Sequence, residues 1–146
     1  IQQGLSNVIA NTGLKGRWQT IKLSPQVILD VAHNKEGLIF VRDQIKTLTY
    51  KKLYLVMGFV QGRKVTELLA LLPKDSNYYL SSPNLDRALN LVELKKQLKD
   101  SSLQINYSKT VSKAYKKALL KAKSEDLIIV LGSTFVVAEV LKQIKN

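Results

Sequence analysis

A three-layer α/β fold, with a mostly parallel, doubly wound sheet of about six strands covered by helices on both faces, is the architecture this sequence predicts. Three observations point there. Short β-branched or aromatic runs alternate along the chain with longer amphipathic stretches, the order expected of repeated strand–helix–strand units. Two of the runs, at residues 27–32 and 126–132, are nearly continuous in apolar residues, as central parallel strands covered on both faces require. The chain of 146 residues, with 45% hydrophobic and 23% charged content, is long enough for one domain with its own core and too apolar for disorder.

Taken in order, strands are expected at residues 18–23, 27–32, 52–59, 77–81, 103–107 and 126–132, where β-branched and aromatic residues cluster. Helices fit between them. Leu38, Val41, Ile45 and Leu48, then Val65, Leu68, Leu69 and Leu72, recur at spacings of three and four that put them on one face. A weaker stripe of Leu91, Leu94 and Leu98 follows. Val111, Ala114, Tyr115, Ala118, Leu119 and Ala122 make the next, and Val137, Val140, Leu141 and Ile144 the last. Short connections in this order imply right-handed crossovers. The opening "IQQGLSNVIANTG" begins in mid-pattern, so residues 1–15 are expected to be a linker entering a single domain at 16–146.

Composition narrows the chemistry. The absence of cysteine removes disulfides, thiolate metal sites and thiol catalysis together. No apolar run approaches the ~18 residues that cross a bilayer, and no basic-then-apolar leader is present, so no membrane partner is expected. A net charge of +12 attracts polyanions at long range but names none. Much of the excess is lysine with helical spacing, such as Lys109, Lys113, Lys116, Lys117, Lys121 and Lys123, and lysine is the usual residue of a solvated helix face.

In open α/β sheets ligands gather at the carboxyl ends of the strands, which directs attention to four stretches. In "VILDVAHNKEG", Asp30 lies inside an apolar run, where a carboxylate needs a cation, a metal or hydrogen-bond donors. His33 and Asn34 follow at the turn into a helix, with Asn34 a good N-cap and the N–H groups beyond it suited to an anion. An Asp30 paired with His33 and an Asn34 that only caps would give the same pattern. In "GSTFVVAEV", Ser133 or Thr134 is either an ordinary cap or part of a hydroxyl-lined anion pocket. "GFVQGRK" offers Arg63 and Lys64 near a helix start but lacks P-loop spacing. Residues 81–87 end in Arg87. Upstream, "GLKGRWQ" sets Arg17 beside Trp18, apt for phosphate or for simple stacking. There is no Cys/His metal set, nucleophile elbow or GxGxxG, and a phospho-receiver would need more clustered acids than Asp30.

These stretches, in this order, resemble the C-terminal domain of the Mur ligase superfamily, and within it folylpolyglutamate synthase and dihydrofolate synthase. The resemblance is carried by Gly16-Arg17-Trp18-Gln19, by the strand ending in Asp30-Val31-Ala32-His33-Asn34, by a Gly-rich loop after the next strand, by Arg87-Ala88 and by Gly132-Ser133. It runs from about Gly4 to the end of the chain and implies a Rossmann-like, Mur ligase C-terminal type of fold. It also implies an ATP-dependent ligase that activates a carboxylate as an acyl phosphate, which the amino group of L-glutamate attacks. On that resemblance Arg17, Asp30, His33 and Asn34 are expected on the nucleotide side, with His33 and Asp30 the catalytic pair. Ser133, Arg63 and Arg87 are expected on the substrate side.

ATP and Mg2+ are the implied cofactors, with the magnesium ligands and the P-loop on a preceding domain that these residues do not contain. L-Glutamate and a folate or dihydropteroate are the implied substrates, the preceding P-loop domain the implied partner, and a monomer in the cytoplasm the implied setting. Two positions depart from the family pattern: Asn34-Lys35 where Asn-Pro is usual, and Gly62-Arg63-Lys64 where Asp-Lys-Asp is common. A basic nucleic-acid or polyanion-binding domain, or a degenerate ligase domain without turnover, are the alternatives.

Overall fold

A computed structural model of the protein describes residues 16–145; the expected linker at 1–15 lies outside the described residues. Six strands form one sheet: β1 (Gln19–Leu23), β2 (Gln26–Leu29), β3 (Leu53–Gly58), β4 (Asn77–Ser81), β5 (Gln104–Ser108) and β6 (Leu127–Leu131). Their order across the sheet is β1-β2-β6-β3-β4-β5. β1 is antiparallel to β2, and every other pair is parallel. Five helices connect or follow them: α1 (Lys35–Ile45), α2 (Val65–Leu69), α3 (Leu91–Gln97), α4 (Val111–Lys121) and α5 (Thr134–Lys145).

The two-residue period of the central strands divides the core in two. On one face Ile28, Leu53, Leu55, Met57, Leu127, Ile129 and Leu131 pack under Leu38, Val41 and Ile45 of α1, Val65 and Leu69 of α2, and Leu94 of α3. On the other, Val27, Leu29, Tyr54, Val56, Ile128 and Val130 meet Val111, Ala114, Tyr115 and Ala118 of α4 and Val136, Val137 and Val140 of α5. Alternate residues of one strand thus enter different layers, which is why the runs read as continuously apolar. Each buried aliphatic or aromatic side chain contributes roughly 1.5–3 kcal/mol relative to exposure, and the sheet's centre draws this from both faces.

Chain direction follows from the same division. The path from β2 through α1, β3, α2, β4 and α3 to β5 keeps its helices on one face, and the return from β5 through α4 to β6 uses the other. β6 therefore enters between β2 and β3. The connections leaving neighbouring strands there diverge to opposite faces, and such a point opens a crevice at the strands' carboxyl ends.

Several boundaries differ from expectation. The second strand stops at Leu29 rather than continuing to residue 32, because Asp30 turns its side chain to backbone donors. Trp18 takes φ +46° and stands outside β1. Leu48 and Leu72 extend the helical spacing but follow the helices in tight turns, with Leu48 N–H on Ile45 O at 3.1 Å and Leu72 N–H on Leu69 O at 3.1 Å. Ile144, expected in the last apolar stripe, is half exposed in the final turn of α5, beyond the edge of the sheet-facing Val137 and Val140.

Candidate functional site at the carboxyl edge of the sheet

Two glycines let the strand ends close on one another. A Cβ on Gly132 would stand 2.5 Å from Gly58 O, and Gly132 takes φ +121°, so both the backbone conformation and the close approach require glycine. Gly132 N–H donates to Ala32 O at 2.9 Å and Asp30 N–H to Val130 O at 2.9 Å. These bonds carry the β2–β6 pairing beyond the strand and fix the turn that bears His33.

Asp30 is buried, and both carboxylate oxygens accept backbone N–H groups: Oδ1 from Ala32 at 2.8 Å and Oδ2 from Trp18 at 2.9 Å. Burial pushes this carboxyl above its ordinary range, opposed by those two N–H groups and by the positive charge of Arg17. The Gly16-Arg17-Trp18-Gln19 stretch is a turn tied down at both ends. Gly16 N–H donates to Gln19 Oε1 at 2.8 Å, and a Cβ on Gly16 would lie 2.7 Å from Val137 Cγ1. Arg17 projects from this turn into solvent. Asp30 does not pair with His33 among the contacts present.

Asn34 is the N-cap of α1, its Oδ1 accepting Gly37 N–H at 2.9 Å. Lys35 is the first helical residue, where proline is favoured but not needed because the N–H there has no helical partner. His33 is exposed, and its Nδ1 stands 3.2 Å from Val31 O. A carbonyl oxygen only accepts, so Nδ1 carries the hydrogen of this bond, and Nε2 is the ring atom left to face the cleft.

His33, Arg63, Arg87 and Ser133 come together around one cleft of about 200 Å3, also lined by Phe59, Val60, Gly132, Thr134 and Phe135. The loops after β3 and β4 are zipped to each other there. Val60 bridges Ala88, Gln61 N–H donates to Arg87 O at 2.7 Å, and Leu89 N–H donates to Phe59 O at 2.8 Å. With its backbone so held, the loop pair offers Arg63 and Arg87 to the cleft; among the described residues neither guanidinium has a carboxylate within 4.0 Å. Ser133 Oγ accepts Val136 N–H at 3.1 Å as the cap of α5, which leaves its own hydrogen free to donate. Arg17, Asp30 and Asn34 lie along the same edge but do not line the cleft.

Sequence reading includes Phe59, Val60 and Phe135 in its candidate stretches but gives them no role, since apolar residues after a strand look like core. It also misses Gln97 of α3. Lys64, at the cap position of α2, makes no side-chain cap bond; Gln97 Oε1 accepts Val65 N–H at 2.9 Å instead, and its Nε2 donates to Arg63 O at 3.2 Å. Only the fold brings this glutamine, 34 residues downstream, against the Arg63 loop.

Residues 16–134 match the family described as Mur ligase, glutamate ligase domain. The dihydrofolate synthase/folylpolyglutamate synthase of Buchnera aphidicola subsp. Schizaphis graminum is 33% identical over 138 residues, covering 92% of this chain and 32% of that protein. Escherichia coli FolC in complex with DHPP and ADP superposes with a TM-score of 0.80 at 28% identity, over 90% of this chain and 31% of that one. A bifunctional folylpolyglutamate synthase/dihydrofolate synthase with Mn, AMPPNP and L-glutamate bound gives a TM-score of 0.80 at 26% identity, over 91% and 32%. The chain spans about a third of the length of these relatives. A six-stranded sheet with its carboxyl-edge cleft, matched over most of its length, places this chain in the Mur ligase family as a glutamate ligase domain.

Proposed function

We propose that this domain is the C-terminal part of an ATP-dependent ligase that adds L-glutamate to a folate or to dihydropteroate through an acyl phosphate. The observation that carries the proposal is the cleft itself: His33, Arg63, Arg87 and Ser133, from four different connections, line one crevice where the strand order reverses. Two guanidiniums without carboxylate partners among the described residues suit the two carboxylates of glutamate, since the planar fork binds a carboxylate through paired N–H bonds. The Ser133 hydroxyl adds a neutral donor. His33 Nε2 is an available acceptor for the proton that the ammonium of glutamate loses before its nitrogen attacks.

On the nucleotide side Arg17 is the exposed cation that would meet phosphate oxygens, and Asp30 serves by holding the turn that carries it. Asn34 secures the start of α1 behind His33. ATP supplies the phosphoryl group that activates the acceptor carboxylate. In keeping with the resemblance, the magnesium that accompanies ATP is assigned to a preceding P-loop domain, and no step is routed through it here. A monomer working in the cytoplasm goes with this reading.

The test is ADP release by the complete ligase with ATP, L-glutamate and dihydropteroate or a folate. Loss of a positioned base lowers turnover by about 10²–10⁴-fold, and His33→Ala is expected in that range with the fold intact by circular dichroism. A rate unchanged from wild type would remove His33 from the chemistry.

A further inference from the structure

Glu139, on the second turn of α5, has no place in the mechanism above, yet it reaches the cleft wall from behind. Its Oε1 accepts the backbone N–H of Asn84 at 3.0 Å. Asn84 belongs to the loop after β4, which runs through Pro83 and Leu85 to Arg87. That loop is internally tight, with Leu85 N–H on Pro83 O at 2.9 Å and Ala88 N–H on Leu85 O at 3.1 Å. It also sits close over Gly58, where a Cβ would stand 2.9 Å from Pro83 Cδ and 3.0 Å from Val136 Cγ2. Thus one carboxylate ties the loop that carries Arg87 to the helix whose cap and first turn contribute Ser133, Thr134 and Phe135 to the opposite wall.

The remaining oxygen argues that this tie is not there for stability. Glu139 Oε2 is buried and has no hydrogen-bond partner among the described residues, and burial of the side chain pushes its carboxyl above the ordinary range. A buried, unpaired carboxylate oxygen is a cost to the fold, and an apolar side chain of similar size would remove it. We propose that Glu139 is a positioning residue that sets the distance between Arg87 and the Ser133 wall, and through it the affinity of the cleft for its anionic amino-acid substrate. This rests on the assignment of Arg87 to substrate.

The experiment is a kinetic cycle in the complete ligase on Arg87→Ala, Glu139→Leu, Glu139→Gln and the double variant Arg87→Ala/Glu139→Leu, with thermal unfolding of each. Glu139→Leu is expected to raise KM for L-glutamate about 5- to 10-fold with kcat within about twofold, the pattern of lost substrate binding, and to melt no lower than wild type. Glu139→Gln keeps an acceptor for Asn84 N–H and is expected to stay within about twofold of wild-type KM. In the Arg87→Ala background Glu139→Leu should add less than about twofold, because residues acting through one another are not additive. An unchanged KM in Glu139→Leu, or a full additional effect on top of Arg87→Ala, overturns the role of Glu139 while leaving the cleft assignment standing. An unchanged KM in Arg87→Ala overturns the cleft assignment and the inference with it.

Discussion

Asp30 and Asp126 sit at opposite ends of the same sheet and are built the same way. Asp126, just before β6 at the amino edge, is buried and accepts Lys52 N–H on Oδ1 at 3.1 Å and Lys123 N–H on Oδ2 at 2.8 Å. Asp30, just after β2 at the carboxyl edge, accepts Trp18 and Ala32 N–H groups in the same manner. A buried aspartate gathering backbone donors is therefore a device for closing loops onto a strand end, usable where no ligand is expected. What distinguishes the carboxyl edge is what the closed loops then carry. There it is Arg17 and three residues that line one cleft, His33, Arg63 and Arg87, over a junction of two glycines. At the amino edge Lys51 is paired with Glu125 at 2.6 Å.

The glycine junction is where the largest effect is expected. In Gly132→Ala the new methyl would meet Gly58 O at 2.5 Å, a backbone atom in a central strand that cannot swing aside, and the residue would hold φ +121°. Overpacking and left-handed strain together should cost about 3–5 kcal/mol, a large share of the total for a small domain. Denaturant unfolding would show it, and a loss below 1 kcal/mol would mean that the β3 and β6 ends are not locked as described.

The aspartates come next, and they separate structure from chemistry. Asn in place of either Asp turns an amide NH2 toward one backbone N–H, leaving a buried donor unsatisfied at about 1–3 kcal/mol. Both Asp30→Asn and Asp126→Asn should lose that much stability, but only Asp30→Asn should lower ligase turnover, because only its loop carries Arg17. Equal loss of turnover in the two would sink the distinction between the edges. Asp30 also predicts a pH signature. Its folded carboxyl titrates above the unfolded value near 3.8, so between those two points the native state binds more protons than the unfolded one and stability falls as pH rises. Asp30→Asn should lack that fall, seen by comparing denaturant midpoints across the acidic range.

Much of this was legible in the chain. Strand runs with both faces buried, such as residues 127–131, cannot be anything but central, and the stripe of Val111, Ala114, Tyr115 and Ala118 allows only one buried helix face. Four of the residues picked out by their position after a strand, His33, Arg63, Arg87 and Ser133, do share a cleft. Less legible was how each side chain is occupied. Asp30 reads as an acid in an apolar run that needs a cation, a metal or hydrogen-bond donors, and nothing local reveals that Trp18, twelve residues earlier, is one of those donors. Gln97 and Glu139 lie outside the apolar stripes of their helices and draw no notice in the sequence, because the loops they hold are distant in sequence and adjacent only once the sheet has formed.

The smallest expected effect separates two glycines that look alike in sequence. Gly62 has φ +86°, as Gly132 has a positive φ, but a Cβ placed on Gly62 meets nothing within 4 Å. Gly132 is glycine because of what touches it, and Gly62 because of its backbone alone. Gly62→Ala should therefore cost only the left-handed strain, about 1 kcal/mol, against several for Gly132→Ala. The larger Gly62→Asn should cost less than Gly62→Ala, since asparagine tolerates the left-handed region and there is room for its side chain. Because Arg63 follows directly, the same order should appear in KM for L-glutamate, with asparagine nearer to wild type than alanine. If alanine and asparagine behave alike in both measurements, the conformation of Gly62 does not aim Arg63, and the cation of this loop owes its place to Gln97 and to the bonds that zip the loop to Arg87 and Ala88.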